Sequence, residues 1–342
     1  MIDLLVAGGG PAGLATAILG ARAGLEVVVV ERRHGPVDKA CGEGLMPHAV
    51  ELLNRLGVQP PGKPFHGITY LDDRGHSVTG RFRGGAGRGV RRTALHAGLL
   101  EAATAAGVRI EHGDVGPVSQ DALSVHCSGF RARYLAAADG LHSPIRAALG
   151  VARPSTGPRR WGIRRHVSMA PWSDCVEVYW SNDAEAGEAY VTPVADDCVG
   201  VAILTSRKGG FDEHLRAFPA LQETVHGRPH GADRAAGPLR QKVRSRTAGR
   251  VMLVGDAAGY VDALTGEGLG IAFGAAELLV QRVTADRPQD YDRRWRRMSR
   301  RYRLLTAAVL QASAIRPLRS RIVPAAAQFP AVFGSVVNLL AE

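Results

Sequence analysis

A phosphate cradle is written near the amino terminus. Gly8-Gly9-Gly10-Pro11-Ala12-Gly13 fits G-x-G-x-x-G. Gly8 permits a tight turn, Gly10 lets backbone approach a pyrophosphate, and Gly13 lets the next helix pack on its strand. Pro11 and Ala12 open that helix, whose free N–H groups and partial positive charge face the phosphates. Glu31 closes the following apolar run, 23 residues after Gly8. A carboxylate there can accept hydrogens from both ribose hydroxyls, the context that lifts this motif above a chance match. Arg32 beside it is included among the cofactor contacts. Two later turns have related chemistry: Asp139-Gly140 and Gly255-Asp256 each follow an apolar run and precede a helical segment. Asp139 and Asp256 can cap those helices and bind a ligand at once.

The elements that position these residues follow from periodicity. Ile2 to Ala7 and Leu25 to Val30 read as buried parallel strands around a small-residue helix from about Pro11 to Ala23, a βαβ unit. Helices are expected over about Pro47–Leu56 and Thr93–Ala106, and strands over Val108–Glu111, Leu135–Ala138 and Val251–Val254. Residues 65 to 82 alternate around a turn, and 160 to 205 hold several strand-like segments. A long helix starts near Gly266 and reaches about Val283; the remaining residues are helical, Arg-rich and then apolar. Gly85-Ala86-Gly87-Arg88-Gly89 is expected to be a loop, not a second dinucleotide motif. The fold class is therefore α/β: a Rossmann-type dinucleotide domain, an antiparallel-sheet substrate domain and C-terminal helices. The first is discontinuous (1–64, 86–158 and 245–285). The second comprises 65–85 and 159–244, the third 286–342.

The three turns, in this order and at these spacings, resemble those of the para-hydroxybenzoate-hydroxylase-like flavoprotein superfamily, over about residues 1 to 285. That superfamily includes group A flavin monooxygenases, flavin halogenases and geranylgeranyl reductases. The resemblance implies non-covalent FAD. It places Asp256 on the ribityl chain or its adjoining ribose, Asp139 near the flavin and the nicotinamide donor, and Arg92, in the R-x-x-L pattern Arg92-Thr93-Ala94-Leu95, on FAD. Leu264-Thr265-Gly266-Glu267-Gly268-Leu269-Gly270 resembles the T-G-E-G segment of geranylgeranyl reductases. Gly266, Glu267, Gly268 and Leu269 there would face the isoalloxazine, whose reduced form carries negative charge that a helix N-terminus stabilises.

Cys41-Gly42-Glu43-Gly44-Leu45 resembles the reductases' C-G-G-G-L loop, with Glu43 replacing a glycine. Cys41 and Glu43 are the candidate catalytic residues. Cys41 reads equally as a redox or proton-handling group and as a semi-buried packing residue. The reductases' aromatic Y-x-W-x-F-P signature is degraded: Ala189-Tyr190-Val191-Thr192-Pro193-Val194 keeps only the proline. The halogenase W-x-W-x-I-P signature is absent. The expected activity is therefore an NAD(P)H-dependent monooxygenase that hydroxylates or epoxidises a small aromatic, polyketide or terpenoid metabolite through a flavin C4a-hydroperoxide. NADPH or NADH would bind only transiently, as no second dinucleotide motif exists. Little is asked of side chains beyond excluding water and holding the substrate. His66, His166, Tyr179 and Tyr190 are candidates to act on it. The alternatives are a reductase of an alkene or prenyl chain, and a non-catalytic flavin-binding module.

Charge and cysteines narrow the rest. The formal net charge is +11, carried almost wholly by arginine. It suits either a solvated surface or attraction to an anion. No basic stripe interleaves with aromatics, so nucleic acid is not an expected partner. Cys41, Cys127, Cys175 and Cys198 form no C-x-x-C pair, and no metal site is expected. No apolar run is long enough to span a bilayer, and no leader is legible before the first strand, so a cytoplasmic protein with reduced thiols is expected. The crowded arginines from Arg293 to Arg303 leave a peripheral membrane contact as a secondary expectation.

Overall fold

The computed structural model describes residues 1–155, 159–264 and 266–341. Thr265, the expected domain boundary at 158 and Glu342 lie outside them. The dinucleotide half is built on a sheet whose neighbours run Thr247–Ala248, Val251–Leu253, Phe130–Ala137, Ile2–Ala7, Val27–Glu31, Arg109–His112. Its four central pairings are parallel, and its strands are apolar on both faces because helices cover both. The helix Pro11–Arg22 packs against Gly268–Thr284, and both join the main core with Leu4, Val29, Leu135 and Phe273.

The second sheet has seven strands: Arg234–Ala236, Trp161–Ser168, Cys198–Thr205, Glu188–Ala195, Val176–Trp180, Gly67–Asp72, Ser77–Arg81. It corrects the all-antiparallel expectation at one joint. Val176–Trp180 pairs with Gly67–Asp72 in parallel, because the 67–81 hairpin arrives from a distant part of the chain instead of a neighbouring turn. Its outer face packs on Phe211, Leu215 and Leu221 from two short helices. Its inner face meets the C-terminal helices Ile322–Gln328 and Pro330–Ala341.

A three-stranded sheet joins the halves: Gly44–Leu45, Gly87–Gly89 and Lys63–Phe65. This overturns the reading of 85–89 as a loop. The glycines are required by packing: a Cβ on Gly89 would lie 1.8 Å from the Pro193 carbonyl oxygen, and one on Gly87 would lie 2.4 Å from the Phe65 ring. Strand partners so remote leave no local signature.

Candidate functional site

The apolar first strand and the helix Pro11–Arg22 meet at the glycine turn. Gly8 adopts φ +107°, open to glycine at little cost. A Cβ on Gly13 would stand 1.9 Å from the Gly8 carbonyl oxygen, whereas Gly10 has nothing within 4 Å of that position. One glycine is therefore spent on helix packing and the other on empty space above the helix N-terminus. Glu31 Oε2 accepts the Gly9 N–H at 2.8 Å and its Oε1 accepts the Arg33 N–H at 3.0 Å, which fixes the carboxylate beside the turn. Buried His96 adds a hydrogen bond between Nε2 and the Gly9 carbonyl at 2.8 Å.

The Asp-Gly and Gly-Asp turns are tied together by one buried arginine. Arg146 donates to the carbonyls of Leu141 at 2.7 Å, Ala257 at 3.2 Å and Asp256 at 3.4 Å, and to Gln241 Oε1 at 2.9 Å. Asp139 Oδ2 accepts the Ile145 N–H at 3.0 Å, while its buried Oδ1 has no protein partner. Burial pushes the Asp139 carboxyl above its usual range, against the hydrogen bonds from Ser143 and Ile145. Asp256 pairs with Lys39 at 3.5 Å.

All these turns open on one cavity of about 1460 Å³. Its dinucleotide end is lined by Gly8, Gly10, Pro11, Ala12, Glu31 and Arg32. Arg92, Asp139, Asp256, Gly266, Gly268 and Leu269 line its middle, with Cys41. The far end is an apolar chamber. Its walls are Ile68, Tyr70, Val176, Val178 and Leu204 of the second sheet, and its roof is Ile322, Phe329, Phe333 and Leu340 of the C-terminal helices. Among the described residues, the sheet and roof contribute no His, Asp, Glu or Lys to the lining. Tyr190 does line it, but its hydroxyl is donated to the Leu264 carbonyl at 3.1 Å, and burial drives it well above the ordinary tyrosine range.

Several expected site residues are placed elsewhere. Gly13 lies behind the turn, in the packing role expected of it, and does not line the cavity. Glu267 is turned from the cavity and pairs with His48 at 3.1 Å, so its side chain is not poised over a flavin. A Cβ on Gly270 would lie 2.0 Å from His48 Nε2, so that glycine makes room for the pair. Burial raises Glu267. Burial alone would lower His48, but the Glu267 carboxylate more than reverses that and holds it above its usual value. Stability from His48 is therefore complete below the unfolded imidazole range near 6.5, and is lost as pH rises through the higher folded value. The melting advantage of the parent over His48→Gln should shrink as pH rises above about 6.5; parallel melting profiles would remove this pair from the stability balance.

Glu43 borders the cavity, yet its side chain has no exposed surface. Its Oε1 accepts the Arg92 N–H at 2.8 Å, at the start of the helix Arg92–Ala105. Its Oε2 meets His166 Nε2 at 2.6 Å. Arg164 Nη1 lies 3.0 Å from His166 Nδ1, and Arg164 also pairs with Asp38. Arginine only donates, so Nδ1 accepts and the ring hydrogen sits on Nε2, where it is given to Glu43. Glu43, a catalytic candidate by sequence, thus has its carboxylate buried and engaged by the Arg92 N–H and His166, where it fastens the loop of residues 38–44 to the second sheet. It stands at φ +61°, where the similar reductase loop has glycine. His166 is consumed in the same network. Exposed His66 and Tyr179, bonded to Glu177 at 2.7 Å, are not at the cavity. Lys39, Arg146 and Arg164 were not anticipated, because their partners are remote in sequence.

Three comparisons bear on identity. Residues 1–285 match the family model described as FAD binding domain. The chain is 30% identical over 336 residues to a menaquinone reductase of Mycobacterium tuberculosis, covering 83% of this chain and 78% of that one. It is 26% identical over 318 residues to a rifampicin monooxygenase of Streptomyces venezuelae, covering 84% and 64%. The solved structure of CmlS, a flavin-dependent halogenase, superposes with a TM-score of 0.80 at 21% identity, over 91% of this chain and 64% of that one, a likeness of fold.

Proposed function

Because the chain belongs to the FAD-binding-domain family of para-hydroxybenzoate-hydroxylase-like oxidoreductases, and so is an FAD-dependent enzyme, we propose that it is a monooxygenase acting on an apolar, ring-bearing or unsaturated metabolite. The cavity suits the cofactor: open space above Gly10, an orphaned buried carboxylate oxygen on Asp139 and an orphaned Arg92 Nε all await a partner. The Pro11 helix N-terminus would take the pyrophosphate, Glu31 the adenosine ribose and Asp256 the flavin side chain. Gly266 and Gly268 would face the ring system. Reduced FAD supplies the two electrons that activate dioxygen. Substrate, dioxygen, NAD(P)H and a proton give hydroxylated product, NAD(P)⁺ and water.

The observation that carries the oxygenase reading is the apolar chamber. Among the described residues its sheet and roof contribute no His, Asp, Glu or Lys, and burial holds the phenols of Tyr70 and Tyr190 protonated, so the chamber excludes water and orients substrate but offers no readily released proton to a carbon. Adding hydrogen across an alkene needs such a proton. A reductase is the second reading, favoured by Cys41 on the lining and by the likeness to a menaquinone reductase.

Single turnovers of the NADPH-reduced holoenzyme separate the two. With labelled dioxygen, the oxygenase reading expects labelled product and none under anaerobic conditions. Product formed equally well without oxygen sinks it and supports the reductase. In that case Cys41→Ser should cut turnover about 10-fold or more with little change in melting.

A further inference from the structure

The roof helices carry an apolar face that the rest of the described chain leaves uncovered. Phe329 and Val332 are 61% and 62% exposed, and Val336 and Leu339 are 38% and 40% exposed. Val332, Val336 and Leu339, four and three residues apart, share one stripe of the helix Pro330–Ala341, and Phe329 stands at the bend just before it. Ile315 and Leu318 just upstream are also exposed. Contiguous apolar surface of this kind marks a contact with something apolar.

Three of these side chains, Phe329, Val332 and Val336, also line the substrate chamber. A side chain that faces both the chamber and the outside stands at an opening. The chamber therefore opens within the apolar stripe, and a molecule passing there stays on apolar surface.

Charge identifies what lies beyond. From Ile315 to Ala341 the chain holds Arg316, Arg319 and Arg321 and no Asp or Glu; Arg319 is buried and donates to the Ser181 carbonyl, whereas Arg321 is exposed. Exposed Arg321 leads into the first roof helix. Exposed Arg83 flanks the second, its N–H donated to Asn338 Oδ1 at 2.7 Å. Among the described residues no single helix is long and apolar enough to cross a membrane; the roof pair bends by 103° at Phe329. A short bent apolar pair with basic flanks suits lying in an interface and not spanning it. A second copy of the chain on the same face would seal the opening.

We propose that this face docks on an anionic lipid bilayer. Phe329, Val332, Val336 and Leu339 enter below the headgroups, Arg83 and Arg321 meet the phosphates, and an apolar substrate passes sideways between bilayer and chamber. The proposal shares with the oxygenase reading only the premise that the chamber takes an apolar substrate.

The test is flotation of the holoenzyme, without substrate, on vesicles of equal parts phosphatidylglycerol and phosphatidylcholine. The parent should float with the mixed vesicles, and far less with phosphatidylcholine alone or in high salt. The double variant Phe329→Glu, Val332→Glu should partition at least about 10-fold less while keeping its flavin absorbance, melting temperature and monomeric mass. Should that variant misfold, Arg83→Glu with Arg321→Glu tests the same face from its rim and should also weaken flotation severalfold. Parent and folded variants floating alike would overturn the docking. So would failure of the parent to float on any vesicle, or light scattering showing a dimer that the double variant abolishes. Since flotation itself reads no turnover, each of these leaves the reaction assignment untouched. A non-floating enzyme that still gives labelled product from detergent-dispersed substrate would overturn the docking alone.

Discussion

Gly13→Ala is expected to give a protein without bound flavin and less stable by roughly 3 kcal/mol, the upper end for overpacking. The added Cβ meets a backbone carbonyl oxygen at 1.9 Å, and the backbone fixes both positions, so no rotamer relieves the contact. The helix must move off its strand, carrying the N-terminal N–H groups away from the pyrophosphate path. Gly10→Ala is the control. Gly10 sits at φ −70° with nothing near its Cβ position, so alanine fits the apo chain with a change of about 0.5 kcal/mol or less. The methyl then stands where the phosphates must come. Flavin affinity should fall at least about 10-fold, the equivalent of 1.4 kcal/mol. Flavin content and apo melting temperature, measured on both, separate packing from cofactor approach. A yellow Gly13→Ala protein melting like the parent would contradict the geometry.

Replacing Glu43 should also have a large effect, and on stability before chemistry. Glu43→Ala strips a buried carboxylate from Arg164, His166 and the Arg92 N–H at once, and removal of one partner from a buried ionic group costs about 3–5 kcal/mol. Glu43→Gln keeps an oxygen for the Arg92 N–H and should lose less. Glu43→Gly loses the same partners as alanine but recovers roughly 1 kcal/mol of left-handed backbone strain, so it should melt above Glu43→Ala. The expected order is parent, Gln, Gly, Ala. Turnover per folded holoenzyme should change little in Glu43→Gln, because the carboxylate has no exposed surface. A large loss of kcat with unchanged melting would return Glu43 to a chemical role.

The dinucleotide end of the cavity was legible because its requirements are local. A phosphate needs glycines and a helix start within a few residues, and Gly8 to Gly13 state that need in one run. Asp139 and Asp256 were legible for the same reason. The chamber was not, since its walls come from residues 65–82, 160–205 and 320–340, and no spacing within one segment says that they converge. Glu43 shows the limit most clearly. Its chemistry was visible as a departure from glycine, but its partners Arg92 and His166 are 49 and 123 residues away. At Glu267 the motif says where the helix begins, but the side chain's pairing with His48, from another helix, has no local signature. The strand at Gly87–Gly89 was missed because glycine reads as loop wherever the neighbour that forbids a side chain is out of sight.

Arg146 joins the Asp-Gly and Gly-Asp turns through four acceptors, none of them a carboxylate. Dissolved ions compete poorly for such a link, whereas they strip a guanidinium from a lipid phosphate with ease. Attachment to a surface and retention of the chromophore are thus governed by different forces. A concentrated salt wash should release the enzyme from lipid still coloured.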